Sequence, residues 1–294
     1  FPLVSMCGLA GIFNLSGSIV QEKELRNLSE KIAHRGPDGE GFFTDENLGL
    51  AHRRLSILDL SDKGSQPMHS RNGEWVIVFN GCVYNYIELR KELIGRGHSF
   101  VSATDTEVIS EGLSAFGVSF FEKLNGMFAV AAWNSKERAL YLIRDRFGIK
   151  PLYYWFNGKT LLFGSEIKTF MAHPDFSVRL NHGALNEYFT FQNLFTYRTL
   201  FEGVTMLPPA NIVRVTADST FIKHYSWWDY DFSQPADSMT FKEAQDETER
   251  LFIQAVGRQM IADVPIGSYL SGGMDSGSIT AIASRHLPRI STFT

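Results

Sequence analysis

Cysteine is scarce in this sequence, which has only two among its 294 residues, Cys7 and Cys82. A single pair argues against the disulfide framework of small secreted domains and favours a reducing compartment. Long apolar runs are also missing, and no stretch approaches the roughly 18 residues that indicate a membrane-spanning helix. The first residues, FPLVSMC, lack the basic and apolar segments of a secretion signal. We therefore expect a cytoplasmic protein without a membrane partner.

An excess of basic residues is absent too. The formal net charge is -4 and the isoelectric point is about 6.1, so electrostatic attraction does not favour nucleic acid as a partner. The hydrophobic fraction of 44% and the charged fraction of 20% are typical of a globular protein. A length of 294 residues favours two domains.

The front of the chain, from residue 7 to about 170, has the pattern of short strands with loops and a few helices. Asn157-Gly158 favours a tight turn between two of the strands. Many strands combined with amphipathic helices predict a layered α+β domain instead of a βαβ repeat. The strongest signals are a buried strand at 75–81, a helix at 86–95, and two hairpins, 127–134 with 139–145 and 152–156 with 161–167.

The composition changes near residues 225–240, which are aromatic and acidic and lack an apolar period. This change indicates a linker or docking segment. After it, the pattern predicts a helix at 241–261, a strand at 263–270, a loop, a helix at 278–287 and the start of a strand at 289–294. This order is the opening of a parallel α/β sheet, and we expect the rest of that domain to follow Thr294. The apolar face predicted for the first helix consists of Phe241, Ala244, Leu251, Phe252, Ala255 and Val256.

The loop SGGMDS, residues 271–276, lies between the predicted strand and helix. Its glycines allow backbone N–H groups to approach a ligand closely, and the start of a helix attracts phosphate. Ser271 and Ser276 add hydroxyl donors, and Asp275 suits a site in which Mg²⁺ bridges to phosphates. The Gly-Lys-Ser/Thr of a Walker A loop is missing. A simple strand-to-helix turn is the alternative interpretation.

Several polar residues of the front half have no obvious structural role. An arginine such as Arg54 can bind a carboxylate with two hydrogen bonds, and Asp105 can hold an ammonium group. Asn80 and the N–H of Gly81, at the end of the predicted strand, could donate to an oxyanion. Together with the thiol of Cys7, these groups describe a pocket for an α-amino acid whose side-chain carbonyl is attacked.

Each of these residues also has a structural interpretation. Arg53 and Arg54 could be surface charges, and Asp38 could be a turn former in GPDG. Asp105 could be the N-cap of a helix over TEVISEGL.

The position of Cys7 permits two chemistries. Within the chain as written, Cys7 is an internal thiol. If synthesis starts at Met6 and that methionine is removed, Cys7 carries a free α-amine, whose ordinary pKa of about 7.7–8.0 suits a general base at neutral pH. We expect residues 1–5 to be an upstream artefact or a short leader, and Met6 to be the start.

The sequence contains the motifs MCGLAGIF, HRGPDGEGFF, AHRRLSILDLS, FNGCVYNYIELR, TDTEV, LNGMFAVA and RDRFGIKPLYY. These motifs resemble those of class II glutamine amidotransferases. Followed by SGGMDS, which resembles the pyrophosphate-binding loop of ATP pyrophosphatases, their order is similar to that of glutamine-hydrolysing asparagine synthetases over residues 6–294. The resemblance implies a four-layer αββα N-terminal-nucleophile domain at 7–215, a linker at 216–240 and the beginning of a parallel-sheet α/β nucleotide-binding domain at 241–294.

The resemblance also implies roles for individual residues. Cys7 would be the nucleophile that forms a thioester with glutamine, with its own α-amine as the base and with Asn80 and Gly81 as the oxyanion hole. ATP and Mg²⁺ would act at the second site, where an acyl-adenylate of aspartate would receive the ammonia. Self-association as a homodimer is also compatible with this resemblance. The implied glutamine-binding residues are Arg54, Leu55, Ser56, Ile57, Asn80, Gly81, Cys82 and Asp105. The implied ATP and pyrophosphate-binding residues are Leu270, Ser271, Gly272, Gly273, Asp275 and Ser276, with Asp275 also near the metal.

One residue departs from the pattern of the resemblance: Cys82 stands in NGCVYN where that pattern has glutamate. We expect weaker glutamine binding, with Asp105 as the main anionic partner. Two alternatives stay open. An enzyme of the same architecture could amidate another carboxylate, such as a sugar acid or a peptide. A catalytically silent interaction module would result if Cys7 is not N-terminal.

Overall fold

The computed structural model describes residues 6–218, 222–233 and 239–294 of the chain. The leader expected at residues 1–5 lies outside the described residues. Two compact units are distinguished, the first ending at Asp229 and the second comprising Tyr230–Thr294. In the described ranges, no helix has the length and apolar character needed to cross a membrane.

The described residues form strands and α-helices, numbered in chain order. The strands are β1 (Gly8–Asn14), β2 (Gly39–Asp45), β3 (Leu48–Arg54), β4 (Met68–His69), β5 (Trp75–Val83), β6 (Gly126–Asn134), β7 (Ala139–Arg144), β8 (Tyr153–Phe156), β9 (Thr160–Gly164), β10 (Val204–Met206), β11 (Asn211–Thr216), β12 (Lys223–Ser226), β13 (Gly267–Tyr269) and β14 (Ser291–Phe293). The α-helices are α1 (Glu22–Glu30), α2 (Tyr86–Gly95), α3 (Asp105–Phe116), α4 (His182–Phe191), α5 (Phe241–Arg258) and α6 (Met274–Ala283).

Two antiparallel sheets form the first unit. One has the strand order β10-β8-β9-β1-β3-β2, and the other has the order β12-β11-β7-β6-β5-β4. Within β1, Leu9 and Phe13 pack between the two sheets, whereas Ala10 and Ile12 pack towards α1. This alternation follows from the two-residue period of a strand. Because both faces are covered, β1 is buried along its whole length.

The second sheet has the same two-sided burial. Val76 and Val78 of β5 face the other sheet, while Ile77 and Phe79 pack with residues of α2 and α3. The layers therefore run helix, sheet, sheet, helix, which confirms the αββα architecture expected for the front of the chain.

The helix and the two hairpins that the sequence pattern predicts for the first unit are present. The helix predicted at 86–95 is α2, and the predicted hairpins are β6–β7 and β8–β9. The prediction that Asn80 and Gly81 end their strand was wrong, because β5 continues to Val83. Pairing with β6 extends as far as Val83 and Gly126 and keeps this polar stretch in the sheet.

A strand lies in the segment 216–240 that the resemblance assigns to a linker. β12 pairs with β11 through backbone hydrogen bonds, and its four residues are exposed. A strand that buries no side chain leaves no apolar pattern in the sequence, so composition alone does not reveal it. Residues 219–221 and 234–238 of this segment lie outside the described ranges.

The second unit contains a parallel pair, β13 and β14, with α6 between them in sequence. The predicted start of this helix was wrong: α6 begins at Met274 instead of residue 278, so Met274, Asp275 and Ser276 form its first turn. The Ser276 hydroxyl donates to the carbonyl of Gly273 at 3.1 Å, which stabilises the earlier start. Within the face predicted for α5, Val256 is buried whereas Phe241 is 88% exposed.

Candidate active site

A cavity of about 270 Å³ collects most of the residues that the sequence associates with glutamine. The first sheet contributes residues next to β1 and β3, and the second contributes residues of β5 and β6. The start of α3 adds further side chains. From the predicted set, its lining includes Cys7, Arg54, Leu55, Ile57, Asn80, Gly81, Cys82 and Asp105. Ser56 is not part of this lining; its N–H donates to Asp38 at 2.8 Å.

Cys7 lies immediately before β1, and its position is set by β3 and by an arginine. The N–H of Leu55 donates to the Cys7 Sγ at 3.3 Å. Arg35 Nε donates to the Cys7 carbonyl at 3.0 Å, and the Arg35 guanidinium pairs with Glu166. Burial raises the pKa of the Cys7 thiol above its ordinary value, although the Leu55 contact opposes this shift. The thiol is therefore protonated at neutral pH and needs a base before it can attack.

Asn80 supplies a buried donor to the same cavity. Its side chain is 1% exposed, and its Nδ2 has no hydrogen-bond partner among the described residues. A buried donor without a partner costs free energy, which is compatible with a site that binds an oxyanion. Asn80 and Gly81 lie side by side on β5, paired with Ala129 and Phe128 of β6.

Arg54 is held by the loop that follows its own strand. Its Nη1 donates to the carbonyl of Ser61 at 2.7 Å, and its Nη2 donates to the carbonyls of Leu58 and Asp59. The guanidinium lines the cavity in this fixed orientation, and it has more N–H groups than these carbonyls use. Gly64 also lines the cavity, and a methyl group added there would lie 2.2 Å from Arg54 Nη2.

On the expectation that Arg54 binds the α-carboxylate of glutamine, replacing Gly64 by alanine should weaken glutamine binding. The added carbon must displace the Arg54 guanidinium from its carbonyl partners, so the KM for glutamine should rise by roughly three- to tenfold. This is less than the loss of a whole charged hydrogen bond, because the guanidinium is shifted and not removed. Steady-state ammonia release with glutamine measures this change. Thermal unfolding of the same variant is the control, because a large fall in Tm with unchanged KM would contradict the assigned cause.

Asp105 is the anionic group of the cavity and the first residue of α3. The helix N-cap is Thr104, whose side chain accepts from the N–H of Glu107 at 3.2 Å, so the N-cap interpretation of Asp105 was wrong. The Asp105 carboxylate accepts instead from the N–H of Val83 at 2.9 Å. Burial raises its pKa to about 6, which leaves it ionised at neutral pH and able to hold an ammonium group.

Cys82 lines the cavity near Asp105 and Lys150. Burial raises the pKa of its thiol to about 12, and the charge of Asp105 contributes to this rise. Cys82 is therefore a neutral group at physiological pH. It cannot supply a second negative charge next to Asp105.

Three further residues of this region were not among the predicted site residues, although His52 and Lys150 lie within two of the quoted motifs. His52 Nε2 donates to the carbonyl of Phe79 at 3.0 Å and so links β3 to β5 next to Asn80. Burial lowers the pKa of His52 to about 4, so its ring is neutral. Gln66 accepts from the N–H of Phe79 at 2.6 Å, and Lys150 lines the cavity with its ammonium group near Met6. Only the packing of the two sheets brings these three residues together.

The SGGMDS loop joins β13 to α6 in the second unit. Gly272 has a positive φ of 81°, which glycine adopts without strain, and Gly273 is the N-cap of α6. An added methyl group at Gly272 would meet nothing within 4 Å. Ser271 and Ser276 form a hydroxyl pair at 3.1 Å, and Leu270 donates its N–H to Phe293 of β14 at 2.7 Å.

This architecture is shared with solved glutamine amidotransferases. The glutamine phosphoribosylpyrophosphate amidotransferase from B. subtilis, complexed with ADP and GMP, matches with a TM-score of 0.57 at 15% identity. The match covers 98% of this chain and 65% of that chain. At this identity the likeness shows the fold alone, which is the N-terminal-nucleophile fold of glutamine amidotransferases.

The sequence comparisons identify the family. The profile described as "Glutamine amidotransferase domain" matches residues 6–228, and the profile described as "Asparagine synthase" matches residues 247–294. The chain belongs to the glutamine amidotransferase domain family.

Several curated relatives cover nearly the whole chain. Asparagine synthetase [glutamine-hydrolyzing] 3 of Bacillus subtilis (strain 168) is 36% identical over 97% of this chain and 46% of its own length. Asparagine synthetase [glutamine-hydrolyzing] 1 of the same organism is 38% identical over 98% of this chain and 45% of its own length. Amidase chry2 of Gibberella zeae is 33% identical over 95% of this chain and 43% of its own length. The chain thus spans about half the length of these relatives.

Proposed function

We propose that the protein hydrolyses glutamine at Cys7 and uses the ammonia to convert aspartate to asparagine with ATP. The Cys7 thiolate attacks the side-chain carbonyl of glutamine, and the α-amine of Cys7 takes the thiol proton. That proton then passes to the departing ammonia, and water hydrolyses the remaining thioester to glutamate. Asn80 and Gly81 donate to the oxyanion, while Arg54 and Asp105 bind the α-carboxylate and the α-ammonium.

The convergence of these groups in one cavity carries the proposal. The cavity holds a nucleophile, a buried donor without a partner among the described residues, a cation and an ionised carboxylate. These are the four groups needed to bind an α-amino acid and to attack its side-chain amide. The protonated state of the Cys7 thiol supports the need for a base. Because that base is an α-amine, the bond between Met6 and Cys7 must be cleaved for activity.

The second step is assigned to the SGGMDS loop. The open start of α6, with Gly272, Gly273 and two hydroxyl groups, fits a phosphate or pyrophosphate of ATP. The described residues contain no group of three or more metal-ligating side chains. Asp275 would therefore provide a single protein ligand to Mg²⁺, with phosphate and water oxygens as the others. ATP supplies the adenylyl group that activates the acceptor carboxylate.

The remaining assignments are part of the same proposal. They are a glutaminase domain at 7–215, a linker at 216–240, a synthetase domain that begins at 241–294, a cytoplasmic location and a homodimer. The resemblance to amidase chry2 favours a second candidate function, the amidation of a carboxylate other than aspartate by the same two steps.

Replacing Cys82 by glutamate is expected to lower the KM for glutamine by roughly 10- to 100-fold. A carboxylate there would add a charge-assisted hydrogen bond to the substrate ammonium, worth about 1.5–3 kcal/mol. The kinetics of ammonia release measure the effect. Cys82→Gln is the matched control, since it adds the length without the charge. An unchanged KM in Cys82→Glu would show that this position does not face the ammonium.

The proposed function is tested on the full-length protein by two measurements. Mass spectrometry of the mature protein is expected to find Cys7 as the N-terminal residue. Incubation with glutamine, ATP and aspartate is expected to yield asparagine, AMP and pyrophosphate. Ammonia release without asparagine formation, but with the amide of another carboxylate, favours the second candidate. A blocked Cys7 amine with no ammonia release contradicts both candidate functions and indicates a catalytically silent interaction module.

A further inference from the structure

Lys150 is a buried cation next to the nucleophile, and the proposed reaction gives it no role. It lies between β7 and β8, is 7% exposed and lines the cavity. Burial lowers the pKa of its ammonium group. In the described part of the chain, no carboxylate lies within 4.0 Å of its Nζ. An unpaired buried cation is costly, so its position needs an explanation.

Two neighbouring charged residues fix the backbone of Lys150. Arg144 Nε donates to the Lys150 carbonyl at 2.8 Å, and Asp145 accepts from the Lys150 N–H at 3.0 Å. Asp145 also accepts from the N–H groups of Phe147 and Ile149 at 3.1 and 3.0 Å. The loop is thereby held rigidly, and the Lys150 side chain is directed to one place.

That place is the chain immediately before Cys7. Lys150 Nζ lies 3.0 Å from the Met6 Sδ, although Met6 and Lys150 are 144 residues apart in sequence. A thioether is a weak acceptor and compensates the ammonium charge poorly. Removal of Met6 leaves the α-amine of Cys7 at the end of the segment that Lys150 contacts. The other titratable or charged groups around this point are Arg35, Arg54, Cys82, Asp105 and Asp145.

We propose, resting on the proposed function, that Lys150 is a positioning residue that acts through the α-amine of mature Cys7. Its fixed positive charge disfavours protonation of that amine, so the amine is available as the general base at neutral pH. Two like charges in a small, poorly hydrated cavity repel each other more strongly than in water. The amine is the group that loses its proton first, because its ordinary pKa of about 7.7–8.0 is lower than that of lysine.

The pH dependence of kcat for glutamine hydrolysis tests this role, with full-length mature protein and the variants Lys150→Met and Lys150→Arg. The base must be neutral, so kcat rises with pH through its pKa. In Lys150→Met the midpoint of this rise should move up by on the order of one pH unit. In Lys150→Arg, which keeps the charge, it should stay in place. Titration of Asp105 affects glutamine binding and is followed separately through KM.

A direct measurement complements the kinetics. Protein labelled with ¹³C-cysteine reports the ionisation of the Cys7 α-amine through the chemical shift of its α-carbon, with Cys7→Ser for assignment. The same upward shift in Lys150→Met supports the proposal even if that variant is slow. An unmoved titration overturns it, as does a loss of activity in Lys150→Arg equal to that in Cys7→Ala, which would make Lys150 itself a proton acceptor. If wild-type mature protein releases no ammonia, the proposed function fails instead.

Discussion

Replacing Cys7 by alanine is expected to abolish ammonia release from glutamine, with a fall in kcat of more than about a thousandfold. The thiol is the only group of the cavity proposed to form a bond with the substrate, and removal of a covalent nucleophile has effects of this size or larger. The alanine variant keeps the hydrogen bond from Arg35 to the Cys7 carbonyl and loses only the contacts between the sulfur and the backbone of Leu55. The Tm should therefore change little.

The control uses the same variant with a different nitrogen source. Ammonium chloride supplied directly bypasses Cys7, so amide synthesis from ammonia should continue in Cys7→Ala at close to the wild-type rate. Retention of glutamine-dependent synthesis would contradict the role of Cys7. Loss of both activities together with a lower Tm would instead indicate a structural defect, which thermal unfolding detects independently.

Replacing Asn80 by alanine is expected to lower kcat for glutamine hydrolysis by about 100- to 1000-fold, the usual effect of removing one oxyanion donor. The KM should change little, because the donor acts mainly when negative charge develops on the carbonyl oxygen. Steady-state kinetics separate the two parameters. Stability should respond weakly, since Asn80 Nδ2 has no partner among the described residues and its removal relieves a desolvation cost.

Asn80→Asp is the matched control for this prediction. It keeps the shape of the side chain but replaces the donor with an acceptor and adds a negative charge where the oxyanion forms. Its kcat should fall at least as far as that of Asn80→Ala. A variant Asn80→Ala with kcat within about threefold of wild type would show that Asn80 is not an oxyanion donor.

Part of the local structure around the candidate site could be predicted from the sequence. The buried strand that holds Asn80, the helix at 86–95 and the two hairpins were predicted from residue periodicity, which depends on neighbours in the chain. The prediction errors occurred in segments whose side chains bury little apolar surface. The residues of β12 are exposed although its backbone pairs with β11, and α6 begins inside a glycine loop where a serine hydroxyl supports the first turn.

The sequence by itself determined the members of the candidate sites that lie in motifs, which are Cys7, Arg54, Asp105 and the glycine-rich loop SGGMDS. Only the tertiary structure decided which side chains share the cavity. It excluded Ser56, whose N–H turns to Asp38, and it added Lys150. The reason is physical. The cavity is assembled by two sheets that join segments as far apart as Met6 and Lys150, and the direction of each side chain depends on strand register and layer packing, which no local pattern encodes.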